Sequence, residues 1–206
     1  QMPHTSPPPT RPGRPVVMPP GERRRRIMQA AEDLFGARGY AAVSMDDIAQ
    51  RCEMSKKTLY EVFASKEDLL KALIADVEAY PLSESPDDAS DPAEALRSTL
   101  RMLARFVLSS RHINVSRLVI SESANAPEVA RHYYEQGMMR GKGLLTARLA
   151  ALKRRGLIAV DDVEAAADML FGASIGFFLL TSLARRTRPN MKLVEARIAL
   201  AVDRFV

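Results

Sequence analysis

The chain has 206 residues, 47% of them hydrophobic, with one cysteine and a formal net charge of +5. That is enough apolar chain to bury a core. A lone cysteine excludes an internal disulfide framework and suits a reducing cytoplasm. The charge is not spread evenly: the first 26 residues hold six arginines against one acid, and the remaining 180 hold 24 basic and 24 acidic side chains, so the excess sits at the N-terminus.

Residues 1–21 carry eight of the thirteen prolines and no apolar periodicity, which predicts a disordered Pro/Arg-rich tail able to follow phosphates. No apolar signal-peptide region follows the arginines, so export is not expected. Helix 1 opens at Arg23 to Arg26, where cations oppose the helix dipole, and Arg24 and Arg25 are therefore expected on a polyanion. Its apolar stripe is Ile27, Ala30, Ala31, Leu34 and Phe35, and Gly39 suits the C-cap. Ser44 and Asp47 fit a capping box for a short second helix striped by Met45, Ile48, Ala49 and Cys52. The break at Glu53-Met54 is too short to wander. A third helix starting at Ser55 must then cross the second steeply, as in a helix-turn-helix. Leu59, Val62 and Phe63 can pack inward, which leaves Lys56, Lys57, Tyr60 and Glu61 outside. So small and polar a helix is poor core material and suits a recognition helix in a DNA groove. Ser65 and Asp68 repeat the capping pattern and start helix 4, expected to run to about Tyr80 and to link residues 22–68 to a second unit, 69–206.

Beyond an acidic, proline-containing break from Pro81 to Pro92 the pattern stays helical, so the fold class is all-α. Asp91, Pro92 and Glu94 start a helix with Leu96, Leu100, Leu103 and Val107 on one side. A short helix is predicted around Val115 to Ile120, and a long one from Pro127 to near Gly156. Another, capped by Asp161 with Glu164, runs to about Arg185, and the last begins at Pro189. From Met169 to Leu180 the sequence is apolar on every side. A membrane span would need about 20 uncharged residues, and only the 16 from 169 to 184 qualify. The better expectation is a helix with one face on its own domain and one on a second copy of the chain, through Gly172, Ile175, Gly176, Leu179 and Leu183, with Ile198 and Val202 of the last helix. A homodimer also follows from recognition physics, because two reading helices on a palindrome multiply their discrimination.

The segments Ser44 to Ala49, Ser55 to Tyr60 and Phe63 to Leu69 resemble the N-terminal signature of the TetR (tetracycline-repressor) family of bacterial transcriptional regulators. That resemblance covers residues 22 to 77. It implies that Ser44, Thr58, Tyr60 and Lys66 meet phosphates, that Lys56, Lys57 and Glu61 look at bases, and that Ser55 belongs to the same DNA-binding surface. It also implies that Lys57→Ala relaxes operator choice while Lys66→Ala weakens all DNA alike. Two positions depart from the family pattern: Glu53 stands where a turn glycine is common, and Lys57 where a glycine lets the backbone approach DNA. Residues 113 to 180 are similar to the AefR-like branch of the family's C-terminal domains. This implies a small-molecule effector in a mostly apolar cavity, with Phe106, Leu118, Tyr133, Tyr134, Met138, Phe171 and Phe178 as candidate linings. His112, Arg117 and His132 are candidates to orient a polar group, although a surface or helix-end position is the plainer account of each. The implied protein is a repressor released from its operator when the effector favours another spacing of the reading heads, with helix 4 as the lever.

Against this stands an enzyme, or a small-molecule-binding protein with a vestigial head. His112 and His132 lack metal-ligand spacing to a cysteine, and no Walker loop, nucleophile elbow or HExxH pattern occurs, Gly141-Lys142-Gly143 included. Glu122 could act as an acid or base only if buried beside a partner. No catalytic residue, metal or cofactor is therefore expected, and Thr58, Tyr60 and Lys66 favour a working head. Cys52 reads as a small core residue.

Overall fold

The computed structural model describes residues 18–78, 91–185 and 187–206, and among them it holds helices and turns and no strand. The rest of the expected tail, Tyr80 and most of the segment between Pro81 and Pro92 lie outside the described residues.

The N-terminal bundle consists of α1 (Pro20–Arg38), α2 (Met45–Arg51), α3 (Lys56–Val62) and α4 (Lys66–Glu78). Its core takes in the predicted stripes: Ile27, Ala31, Ile48 and Leu59 are fully buried and Cys52 is buried among them, Leu69 and Leu73 of α4 join them, and Leu34 and Val62 are only partly buried. Each short helix is held by its ends. The Ser44 hydroxyl accepts from the Asp47 amide while Asp47 Oδ2 accepts the Ser44 amide at 2.8 Å, so the capping box is complete. After α2 the Glu53 amide donates to the Gln50 carbonyl and the Met54 amide to the Ala49 carbonyl. This is a Schellman end, which demands a left-handed residue. Glu53 supplies it at φ 57°, alone in that region among the described non-glycine residues. Ser55 then caps α3 through the Thr58 amide, and Ser65 caps α4 through the Asp68 amide.

The C-terminal part contains α5 (Pro92–Val107), α6 (Ser110–Glu122), α7 (Pro127–Tyr133), α8 (Met139–Arg154), α9 (Val163–Phe171), α10 (Phe177–Arg185) and α11 (Met191–Phe205). Three expected starts move. α6 is longer than predicted because Ser109 caps it, Asp162 rather than Asp161 caps α9, and Asn190 rather than Pro189 caps α11. The long helix from Pro127 does end at Gly156, φ 69°, in a second Schellman turn. Two helical runs are interrupted by one-turn π segments, Tyr134–Met138 between α7 and α8 and Gly172–Gly176 between α9 and α10. A π turn adds one residue and re-aims every side chain beyond it.

The run Val163–Arg185 is the one helix among the described residues long and apolar enough to cross a membrane, and only 28% of its most apolar window is buried. Its uncovered side carries Met169, Phe177 and Leu180, and α11 adds Leu193 and Leu200, all more than half exposed. The expected dimer contacts need correction here. Ile175, Ile198 and Val202 are fully buried within their own protomer, where α11 packs against α5 and the second π turn. They are core and cannot present themselves to a second copy. Gly172 is exposed, and Gly176, Leu179 and Leu183 lie at the rim between the two faces.

Candidate nucleic-acid interface and ligand cavity

On the surface of the N-terminal bundle the α3 residues Lys56, Lys57, Tyr60 and Glu61 are exposed, and Tyr60 keeps half its surface in solvent. A tyrosine of α3 that had to fill the core would not stand out so far. The hydroxyls of Ser55 and Thr58 lie 2.8 Å apart at the helix start, and Ser44 stands at the start of α2. Lys56 pairs with Asp46 of α2 at 2.5 Å, both exposed. Arg24 and Arg25 leave α1 exposed, and the Arg24 guanidinium lies 4.6 Å from the centre of the Phe63 ring, just past the end of α3.

Lys66 departs from its expected role. Its ammonium donates to the carbonyls of Tyr40 and Val43, both at 2.9 Å, and sits 4.3 Å from the centre of the Tyr40 ring. Two carbonyls and a π face use its donors inside the bundle, where they tie the α1–α2 turn to the start of α4. At the other end of that turn, hydrogen bonds from Ser44 and then Arg38 hold the Asp47 carboxyl down at about 2.

The C-terminal helices enclose a cavity of about 350 Å³. Its buried wall is Leu103, Phe106 and Val107 of α5, His112 of α6, Leu145 of α8 and Ala167 of α9. Its mouth is Tyr134, Met138 and Met139, with the Lys142–Asp168 pair at 2.9 Å. Hydrogen bonds that Lys142 donates to Asp168 and Glu164 raise its pKa, so its charge is already matched. Both π turns contribute wall residues. Of the expected linings, Phe106, Tyr134, Met138 and Phe171 face this space, and Leu118, Tyr133 and Phe178 do not. Leu118 is buried on another side of α6, six residues on from His112. Tyr133 turns toward Ser116 and His112, with its hydroxyl 2.6 Å from Ser116 Oγ. In a regular helix Phe178 would share the face of Phe171 seven residues earlier; the extra residue of the π turn hands that place to Leu179.

His112 is the polar group that sequence reasoning undervalued. It is 5% exposed, tilted at 60° against Phe106 with ring centres 4.7 Å apart, and burial pushes its pKa down to about 4. Arg117 is spent elsewhere, donating to the Leu183 carbonyl at 2.8 Å and to that of Ser182 at the end of α10. His132 is exposed. Glu122 is buried at the end of α6, away from the cavity, and accepts a hydrogen bond from the Asn125 side chain.

One residue before His112, Arg111 leaves the C-terminal helices altogether. It reaches Asp76 of α4 at 2.5 Å and Glu32 of α1 at 3.4 Å. Burial pushes the Glu32 carboxyl above its ordinary range, with Arg111 pulling it back. The first turn of α6 thus touches the cavity with one residue and the N-terminal bundle with its neighbour.

Comparison with known proteins finds the model of the tetR family of bacterial regulatory proteins over residues 27–73, and that of the C-terminal domain of AefR-like transcriptional repressors over residues 94–206. The transcriptional activator FasR of Mycolicibacterium smegmatis is 44% identical over 57 residues, which span 28% of this chain and 26% of that protein. The regulator YdeS of Bacillus subtilis is 25% identical over 162 residues, 76% of this chain and 78% of that one. Among solved structures, a TetR-family transcriptional regulator of Mesorhizobium loti superposes with a TM-score of 0.72 at 25% identity, covering 92% of this chain and 97% of that one. The flavonoid-responsive regulator FrrA superposes at 0.68 and 27% identity, covering 90% and 95%.

Proposed function

The chain belongs to the TetR family of transcriptional regulators, with a DNA-binding helix-turn-helix and an AefR-like C-terminal domain, and from that premise we propose that it acts in the cytoplasm as a homodimeric repressor of a palindromic operator, released by a small, mostly apolar effector. Such regulators are not enzymes. In this reading the head is residues 22–68 and the remainder, 69–206, binds effector and partner. Lys57, Tyr60 and Glu61 stand free on α3 to meet the groove, with Lys56 joining them by leaving Asp46. Ser44, Ser55, Thr58, Arg24 and Arg25 fix the phosphates.

The observation that carries the mechanism is the first turn of α6, where His112 lines the cavity and Arg111 holds α1 and α4. An effector that shifts this turn shifts the grip on α1 of the head and on α4, which leads out of it. Its reach is bounded by its differential affinity for the two arrangements, typically about 1–3 kcal/mol, or roughly 5- to 150-fold in operator affinity. A solved regulator of the same fold is named for its response to flavonoids, a precedent for an effector of small-molecule size.

The test is selection of bound sequences from random DNA by the full chain, followed by gel shifts on the winner at two salt concentrations. A palindromic winner preferred about a thousandfold over a scrambled duplex, with a steep salt slope, is the expected result. Weak, sequence-blind binding would leave a ligand-binding protein with an idle head.

A further inference from the structure

One wall residue of the cavity, His112, carries a buried ring nitrogen that no group among the described residues satisfies, and its chemistry can be worked out proton by proton. Ser116 Oγ lies 2.7 Å from the carbonyl oxygen of His112. A carbonyl only accepts, so the single hydroxyl hydrogen of Ser116 is committed there. At its 2.6 Å contact with Tyr133, Ser116 can then only accept, and the phenol O–H must point at it. The phenol oxygen is left as an acceptor 3.1 Å from His112 Nε2, which must carry hydrogen to meet it. A neutral imidazole protonated at Nε2 has a bare lone pair at Nδ1. Burial keeps the ring neutral, its pKa pushed down to about 4. Nδ1 is buried and meets no hydrogen-bond partner among the described residues, and His112 is one of the residues that line the cavity.

We infer that the effector is a hydrogen-bond donor, an apolar molecule carrying a hydroxyl or N–H that it gives to Nδ1 of His112. This deepens the effector reading above and rests on it. An ether, ester or ketone of the same shape brings a lone pair to a lone pair and leaves both unmatched. A carboxylate does no better, because Lys142 at the mouth is already paired with Asp168 and Glu164. Selectivity then lies in one hydrogen, the kind of difference a buried polar group reads well because the wrong ligand leaves it unpaired.

Three probes isolate that hydrogen: 2-naphthol, 2-methoxynaphthalene and naphthalene, bound to the full chain. The chain has no tryptophan, so no indole emission overlaps that of the naphthalene ring. Naphthol is expected to bind about tenfold tighter than its methyl ether. Tyr133→Phe removes the acceptor that fixes the tautomer, and should shrink that preference to about twofold while naphthalene binds as before. With three histidines in the chain, ring nitrogen NMR resolves the tautomer directly, and the free protein should show His112 protonated at Nε2. Equal binding of naphthol and ether, or an Nδ1-protonated ring, overturns the donor inference and leaves the cavity standing. Failure of all three probes to bind overturns the effector cavity itself, and the inference with it.

Discussion

Glu53 sits where an L-residue is strained. Its φ of 57° closes the turn between the two helices of the reading unit. The left-handed region costs a side chain about 1–2 kcal/mol, of which glycine would recover most and then lose roughly 0.5–1 kcal/mol to its freer unfolded state. Glu53→Gly should therefore stabilise the chain by about 0.5–1 kcal/mol and raise its melting temperature by a few degrees. An unchanged or lower midpoint would mean that the carboxylate has a compensating role in the folded state. Lys66 invites the opposite experiment. Because its ammonium is spent on two carbonyls and a ring, Lys66→Ala should act through stability, with a loss of about 1–3 kcal/mol. Specific and non-specific DNA should then weaken only as far as the folded population falls. A steep drop in non-specific affinity at full stability, with a flatter salt slope, would restore the phosphate contact that the sequence implied. The family resemblance put Lys66 on phosphate, and nothing local in the sequence announces a carbonyl pair more than twenty residues upstream.

At the scale of elements, caps and stripes are local in sequence and were legible. Ser44, Ser55, Ser65, Asp91 and Gly156 all stand where their residue types predict. The π turns were not, since one added residue changes no composition and blurs a 3.6-residue period only slightly, yet it moves the cavity wall from Phe178 to Leu179. Burial direction in an all-apolar helix was equally hidden. Ile175 and Met169 look alike as letters, and only packing against α11 tells that one is enclosed and the other 70% exposed. α6 gathers the consequences. Arg111 grips α1 and α4, His112 lines the cavity, and Arg117 caps the carboxyl end of α10, where a cation complements the helix dipole. Arg111→Gln removes the charge and leaves Asp76 and Glu32 without that partner. Amide exchange in α1 and the last turns of α4 should then quicken by about tenfold, while α5 and α8 keep their protection. Exchange unchanged in both helices would mean that the head is held by apolar packing alone, and α6 would lose its place as the link.

For the whole molecule the decisive surface is the uncovered side of α9, α10 and α11. Met169, Phe177, Leu180, Leu193 and Leu200 are 53–70% exposed and fall on two consecutive helical runs. An apolar patch of that kind on a water-facing chain marks a place that another surface covers. A bilayer is the weaker candidate, because Asp168 and Glu164 stand within the same run and Lys142 holds both from α8. A second copy fits, since a twofold axis would lay identical α10 and α11 faces on each other and set two copies of α3 at one separation on DNA. Leu180 is 65% exposed and adds little to its own protomer's core, so Leu180→Glu should leave the fold intact while placing two carboxylates in the dimer contact. Sedimentation should show wild-type dimers and variant monomers at micromolar concentration, with palindromic DNA bound at least about a hundredfold more weakly by the variant and half-site DNA bound alike by both. Ile198→Ala supplies the contrast. Ile198 is 1% exposed within the protomer, so its truncation should cost roughly 2–5 kcal/mol of stability and leave the dimer of folded chains in place. A Leu180→Glu chain that stays dimeric and reads the palindrome at full strength would move the proposed contact to another face and, with it, the spacing that the proposed operator reading requires.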